Sequence, residues 1–285
     1  MATFDHRIFR AYDIRGKAGT QVTPALCCAV GVAFGTILRE RTGKESPHVA
    51  VGRDARISGP ELEHALIEGL LQSGCSVLSI GQTPSPLNCF TMCTRQLDGG
   101  IQVTASHNPA EDNGLKLCTE HAHAFAGEDI QLLRRRCEEQ STGKVKVKDA
   151  KKLSIEHIYT AFLLERFHAV GRGLSVVIDA GNGVAGPLYT KVLRAVGCAV
   201  TELYTEPDGR FPNHPADPSK YETLQDLQRT VLREHAHVGL AFDGDGDRLG
   251  LVTEQGEICT ADHTLLLLAQ DHLSRFPHGK VVFTV

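Results

Sequence analysis

Helix-like and strand-like segments alternate along almost the whole chain, and this alternation limits the fold more than any other feature. Thr23 to Arg41 has helical spacing, and HVAVG from His48 is a short buried-type strand. Ser58 opens a helix in SGPELEHALIEGLLQSG, with a capping residue, acids in the first turn and a glycine stop. CSVLSIG predicts a strand, residues 84–95 a helix, GGIQVTA a strand, GLKLC a short returning strand, and 127–140 a helix. The polar stretch Ser141 to Lys152 lacks an apolar period and predicts a domain boundary. The cycle then restarts, with a helix over 154–170, a strand at LSVVIDA, a helix over 187–196 closed by Gly197, and a strand at CAVTELY. A proline-rich loop, PDGRFPNHPADPSK, leads to a helix over 221–235. VGLAFDGDGDRLGLV then reads as two apolar strands around an acidic turn. Such alternation predicts α/β architecture with mixed, mainly parallel sheets.

The expected division is two three-layer α/β/α domains, residues 1–148 and 149–257, plus a fragment, 258–285, of a truncated third. The last segment, ADHTLLLLAQDHLSRFPHGKVVFTV, predicts a helix and then a buried-type strand. So short a unit cannot build a core by itself, since chains below roughly 40 residues usually need staples or partners. An exposed strand at Val281 to Val285 would invite self-association through that edge.

A net charge of −4 argues against a protein coated for nucleic acid, so an anionic substrate would be met by local arginines and lysines. The opening MATFDHRIFRAYDIRG is too charged for a secretion signal. No run approaches the roughly 20 apolar residues that span a bilayer. Nine cysteines, with no CxxC, suggest reduced core thiols and a cytoplasmic location. His121 and His123 lack a third metal partner in view and read as a solvated loop.

Asp243, Asp245 and Asp247 are separated by single glycines. Three carboxylates this close repel one another unless a cation sits among them. Their oxygens suit a hard ion such as Mg2+, and the glycines allow the tight turn. An EF-hand matches at its first, third and fifth positions and at Glu254, but it needs glycine where Arg248 stands. Arg248 beside the acids suits a phosphate shared with the metal.

TASHNPAEDNGLKL, Thr104 to Leu117, carries Ser106 and His107 before two turn signals, Asn108-Pro109 and Asn113-Gly114. The turns can bring Lys116 back toward Ser106. No GxSxG elbow occurs and His107 has no obvious aspartate partner, which disfavours a hydrolase. A phosphorylated Ser106 fits better, because one phosphoryl oxygen could complete the shell of an Mg2+ held by the aspartates. Lys116 and His107 could then move protons at a sugar oxygen. The plainer alternatives are a loop-bracing hydrogen bond for His107 and a solvated ammonium for Lys116.

Gly181, Gly183 and Gly186 have GxGxxG spacing after a strand, with Glu202 about 20 residues on, a dinucleotide fingerprint. An NAD-dependent oxidoreductase is therefore the alternative reading. Asn182 and Pro187 point instead to a specific turn and a helix start, and an NAD site would leave the serine loop and the acidic turn without a role.

FRAYDIRG (Phe9 to Gly16), TASHNP (Thr104 to Pro109) and DGDGDR (Asp243 to Arg248) closely resemble the motifs of the α-D-phosphohexomutases, in the same order and at similar separation. GRDARISG and DAGNGVAG resemble further family segments, and GRFPNHPADPSK is most similar to the bacterial phosphomannomutase/phosphoglucomutase branch. The resemblance spans essentially the whole chain. It implies interconversion of hexose 1-phosphate and 6-phosphate, of mannose or glucose, through a phosphoserine and a bound hexose 1,6-bisphosphate. By resemblance Ser106 is the phosphoserine, and Asp243, Asp245 and Asp247 hold Mg2+ together with its phosphoryl group. Arg248 steadies that group, Lys116 is the acid/base with His107 assisting, and Tyr12 and Arg15 face the cleft. Family members have four domains around one cleft, and this chain matches two and the start of a third. The expectation is Mg2+ binding with impaired turnover, or a non-catalytic remnant that binds metal or a partner.

Overall fold

A computed structural model describes residues 4–139 and 150–283. Its first part holds β1 (Ile14–Lys17), α1 (Pro24–Thr42), β2 (His48–Arg53), α2 (Gly59–Gln72), β3 (Ser76–Gln82), α3 (Ser85–Arg95) and β4 (Gly99–Val103). β5 (Asp112–Thr119), β6 (His123–Ala124), α4 (Glu128–Glu139) and β7 (Lys151–Lys152) complete it. The second part holds α5 (Glu156–Arg166), β8 (Ser175–Asp179), α6 (Ala185–Ala195), β9 (Ala199–Leu203), α7 (Gln225–Glu234), β10 (Val238–Phe242), β11 (Leu249–Thr253) and β12 (Ile258–Cys259). α8 (Ala261–Arg275) follows.

Two mixed sheets result, ordered β1-β5-β4-β2-β3-β7, with β6 beside β5, and β12-β11-β10-β8-β9. In the first, β2 pairs in parallel with β3 and β4, while β5 runs antiparallel between β4 and β1. In the second, β8 pairs in parallel with β9 and β10, and β10 and β11 form the antiparallel hairpin of the acidic turn.

The helix signals act as the residue types dictate. Thr23 caps α1 by accepting from the Leu26 N–H at 3.2 Å, and Gly43 ends it in the left-handed region. Ser58 precedes α2 without a side-chain cap; its Oγ accepts from Asn113 Nδ2 at 2.9 Å instead. GLKLC is the middle of an eight-residue strand rather than a short return. α5 is shorter than the expected 154–170 because the chain turns after Arg166.

Most of the polar stretch predicted as a boundary lies outside the described residues, but Lys151 and Lys152 form β7, in parallel register with Leu78 and Ser79. The first sheet thus extends past residue 148. Its last strand is polar because it is an edge, where lysines discourage further pairing. No strand forms over 281–283, and residues 284–285 of the proposed pairing edge lie outside the described residues. α8 exposes Leu266, Leu267 and Leu268, so its apolar run is not matched by a core among the described residues.

The main core lies between the first sheet and α1, α2 and α4, and includes Leu26, Phe34, Leu66, Val51, Ile101 and Leu133. In the second sheet, α7 packs Leu227 and Val231 onto Val177, Ala241 and Val252. A smaller cluster joins the two parts: Leu87 of α3 meets Ile155 and Leu188, with Tyr159 and Tyr189 packed against them. That contact sets the carboxyl end of β4 opposite the carboxyl end of β10, where open α/β sheets place their ligands.

Candidate functional site

Two strand ends deliver two loops to one place. β4 leads to Ser106, which is buried and has φ of +53°, the left-handed region. β10 leads to Asp243, also buried. Ser106 Oγ donates to Asp243 Oδ2 at 2.5 Å across 137 residues of sequence. The approach depends on Gly244: a Cβ there would stand 2.5 Å from the Ser106 carbonyl oxygen.

The three aspartates form one cluster, each offering an oxygen within 4.8 Å of the others. Asp243 Oδ1 accepts from the backbone N–H groups of Asp247 and Arg248, both at 3.1 Å. Asp245 Oδ2 accepts from Ser85 Oγ at 2.5 Å and from Lys116 Nζ at 2.7 Å. Lys116 Nζ also donates to Asp247 Oδ2 at 2.6 Å. Asp245 Oδ1 is buried with no hydrogen-bond partner among the described residues.

The electrostatics follow from this crowding. Burial, reinforced by Asp245 and Asp247, pushes the Asp243 carboxyl up to about 8. Burial also opposes ionisation of Asp245, but the Lys116 charge and the hydrogen bonds it accepts outweigh that and hold it below the ordinary range. Lys116 is disfavoured as an ammonium by burial, yet the two aspartates raise it overall. A cluster of carboxylates with one buried, unpartnered oxygen and an internal ammonium fits a hard cation, whose charge would relieve the same repulsion.

A cleft of about 420 Å³ opens beside the serine loop, lined by residues that include Arg10, Tyr12, Arg15, His107 and Arg248. Tyr12 is exposed, whereas Arg15 is buried, its guanidinium donating to Asn108 Oδ1 at 2.8 Å and Asp13 Oδ2 at 2.5 Å. His107 Nδ1 lies 3.3 Å from Ser106 Oγ, and burial together with the Arg248 charge lowers its pKa. The structure therefore brings Ser106, His107, Lys116 and the three aspartates together, with Tyr12, Arg15 and Arg248 on the adjoining cleft. The exposed His121 and His123 stand apart from this group.

The GxGxxG loop has a mechanical task here. The Val184 N–H donates to the Gly244 carbonyl at 3.2 Å, and Tyr189 OH donates to the Gly246 carbonyl at 2.8 Å. Glu202, the expected ribose contact, is engaged by Arg194 at 2.6 Å and Thr205 at 2.7 Å. The loop thus braces the acidic turn.

Sequence reasoning passed over Asp54, Arg56 and Thr104 beneath the serine loop, and Ser85 and Tyr189 around the aspartates. A signal was present for the first pair: charged Asp54 and Arg56 directly follow a buried strand end in GRDARISG, which is costly unless they are paired. Ser85 and Tyr189 gave none, because a helix-start serine and a helical tyrosine are ordinary.

His214, in the proline-rich loop, donates from Nε2 to the buried Asp179 at 3.1 Å. Burial opposes the imidazolium, but the Asp179 hydrogen bond and charge prevail and raise its pKa above 6.5. The stabilisation from this pair is fully present below the unfolded value of 6.5 and is lost as pH rises through the higher folded value. We predict that the stability difference between the parent and His214→Asn in urea unfolding is largest near pH 6 and shrinks toward alkaline pH. A difference that grows with pH would contradict this.

The cleft, the buried hydroxyl and the acidic turn define a site at the facing ends of two α/β/α sheets. The family models for phosphoglucomutase/phosphomannomutase α/β/α domain I and domain II match residues 6–144 and 153–256. The chain belongs to the phosphoglucomutase/phosphomannomutase family of the α-D-phosphohexomutases. It is 41% identical over 283 residues to a phosphomannomutase/phosphoglucomutase of Pseudomonas aeruginosa, covering 99% of this chain and 60% of that protein. It is also 41% identical to a phosphoglucomutase of Neisseria gonorrhoeae, over 100% of this chain and 61% of that one. A crystal structure of a phosphoglucomutase/phosphomannomutase family protein from Burkholderia thailandensis superposes with a TM-score of 0.89 at 39% identity, covering 96% of this chain and 60% of that one. The chain thus spans about three fifths of the length of the relatives it matches.

Proposed function

We propose that this site transfers a phosphoryl group between Ser106 and a hexose phosphate, as the chemical core of a mutase that interconverts hexose 1-phosphate and 6-phosphate through a bound 1,6-bisphosphate. The observation that carries this reading is the 2.5 Å contact between Ser106 Oγ and Asp243 Oδ2, which places a buried hydroxyl against a carboxylate cluster. Family membership supports the same reading.

Asp243, Asp245 and Asp247 would hold Mg2+, with an oxygen of phosphorylated Ser106 as a further ligand. When bound, Mg2+ supplies positive charge against the charge that develops on the transferring group. The protein's own groups orient and balance protons. Asp243 Oδ2 accepts from the Ser106 hydroxyl and fixes its direction. Lys116, kept as an ammonium by its two aspartates, is suited to donate a proton to a leaving sugar oxygen. His107, kept neutral at physiological pH by burial and Arg248, is suited to accept one. Arg15 and Arg248 offer charge to a sugar phosphate in the cleft, and exposed Tyr12 offers a ring and a hydroxyl. Substrates of this class and nine free thiols support a cytoplasmic setting.

The test is the intact mass of the chain after incubation with glucose 1,6-bisphosphate and Mg2+. The expected result is a gain of one phosphoryl group that is absent in Ser106→Ala. Tight NAD binding with no phosphate uptake would instead favour the oxidoreductase alternative, and Mg2+ binding alone would favour the non-catalytic one.

A further inference from the structure

Beneath the serine loop lies an arginine whose bonding is complete. Arg56 has no exposed surface, and neither has Asp54, to which its Nε donates at 3.0 Å. Nη2 donates to the carbonyls of Ser106 at 2.9 Å and Asn108 at 2.7 Å. Nη1 donates to the carbonyl of Asp112 at 2.8 Å and to that of Pro109. All five guanidinium N–H donors are therefore engaged, four of them on one loop.

The network closes on Ser106 from its other side. Asp54 Oδ2 accepts from Thr104 Oγ1 at 2.7 Å, and Thr104 Oγ1 in turn accepts from the Ser106 N–H at 2.8 Å. Both the N–H and the C=O of Ser106 are thus tied to the same buried ion pair. That matters because Ser106 sits at φ of +53°, a conformation an L-residue rarely adopts without outside support. The second domain covers this arrangement. Phe211 lies 5.2 Å from the guanidinium, and a Cβ on Gly209 would come within 2.7 Å of the Arg56 Cα.

We infer that Arg56, acting through Asp54 and Thr104, is the positioning residue that aims Ser106 Oγ at the acidic turn. It touches no reacting atom; it fixes the backbone turn from which the hydroxyl projects. A point-charge ammonium with three donors cannot hold four carbonyls and a carboxylate in one plane, so lysine is not an equivalent. The inference rests on the mutase reading of Ser106, and the test separates the two.

The experiment follows Ser106 phosphorylation by glucose 1,6-bisphosphate with Mg2+ in the full 285-residue chain, using time-resolved intact mass, for the parent, Arg56→Lys and Thr104→Val. No phosphorylation of the parent overturns the mutase reading, and with it the inference built on it. With the parent active, the rate constant at saturating bisphosphate is expected to fall about 100-fold in Arg56→Lys. It is expected to fall about tenfold in Thr104→Val, which removes one hydrogen bond and keeps the shape. The final extent of phosphorylation and the half-saturating bisphosphate concentration stay near the parent's. A role in folding alone would reduce the extent and leave the rate constant of the folded fraction unchanged, and that outcome overturns the inference. Should Arg56→Lys fail to fold, Thr104→Val decides by the same criterion.

Discussion

Divalent-cation affinity is expected to fall by more than about 100-fold in Asp245→Asn, a larger loss than the 10–100-fold typical of groups that only orient ligands. Asp245, like Asp243, is fully buried among the three aspartates that face one another. Its Oδ2 is held by Ser85 and Lys116, and its Oδ1 is buried without a partner among the described residues. Asparagine keeps the volume and removes the charge at the point least able to be replaced by water. Asp247 is partly exposed, and its removal is expected to cost less. Lys116→Met provides a control of opposite sign. The ammonium bonded to both Asp245 and Asp247 competes with any added cation, so its loss is expected to raise Mn2+ affinity. Calorimetric titration with Mg2+ and Mn2+ measures all of these. Parent-like binding by Asp245→Asn would remove that residue from the metal set.

Gly244→Val is expected to reduce Ser106 phosphorylation by about 100-fold, the scale on which an ångström of misplacement costs rate. A Cβ at this position would meet the Ser106 carbonyl oxygen at 2.5 Å and Phe211 at 3.6 Å. The first of these is backbone, which cannot rotate away, so the two loops must separate. Overpacking of this kind costs roughly 1–3 kcal/mol of stability. The fold should survive, because the two larger cores lie elsewhere, and circular dichroism should stay near that of the parent. The loss would therefore fall on the meeting of the loops. Phosphorylation of Gly244→Val at the parental rate would show that the observed approach is not needed for transfer.

The α/β alternation was legible because each buried strand and capped helix is a local pattern. The acidic turn was legible for the same reason: three aspartates spaced by glycine demand a cation wherever the fold places them. Residues 14–17 were not legible as a strand, because IRGK has no apolar period and its ladder partner, β5, is distant in sequence. The closing helix was legible, but no strand follows over 281–283, where a local apolar run lacks a described partner. Arg56 shows the deeper limit. Its type and position were visible, but the carbonyls it holds belong to a loop about 50 residues away, and no local period reports such a contact. Glycine spacing alone is ambiguous, since GxGxxG suits a dinucleotide as well as a plain strand-to-helix turn; Asn182 and Pro187 point to the turn, which here braces Gly244 and Gly246.

The central claim is that Ser106 and the three aspartates form one centre. Its most direct test is 31P electron–nuclear double resonance on the phosphorylated chain loaded with Mn2+. A strong phosphorus coupling to the manganese, lost in Asp245→Asn, is the result expected here. Bound manganese with no phosphorus coupling would place phosphate and metal at separate sites and contradict the account.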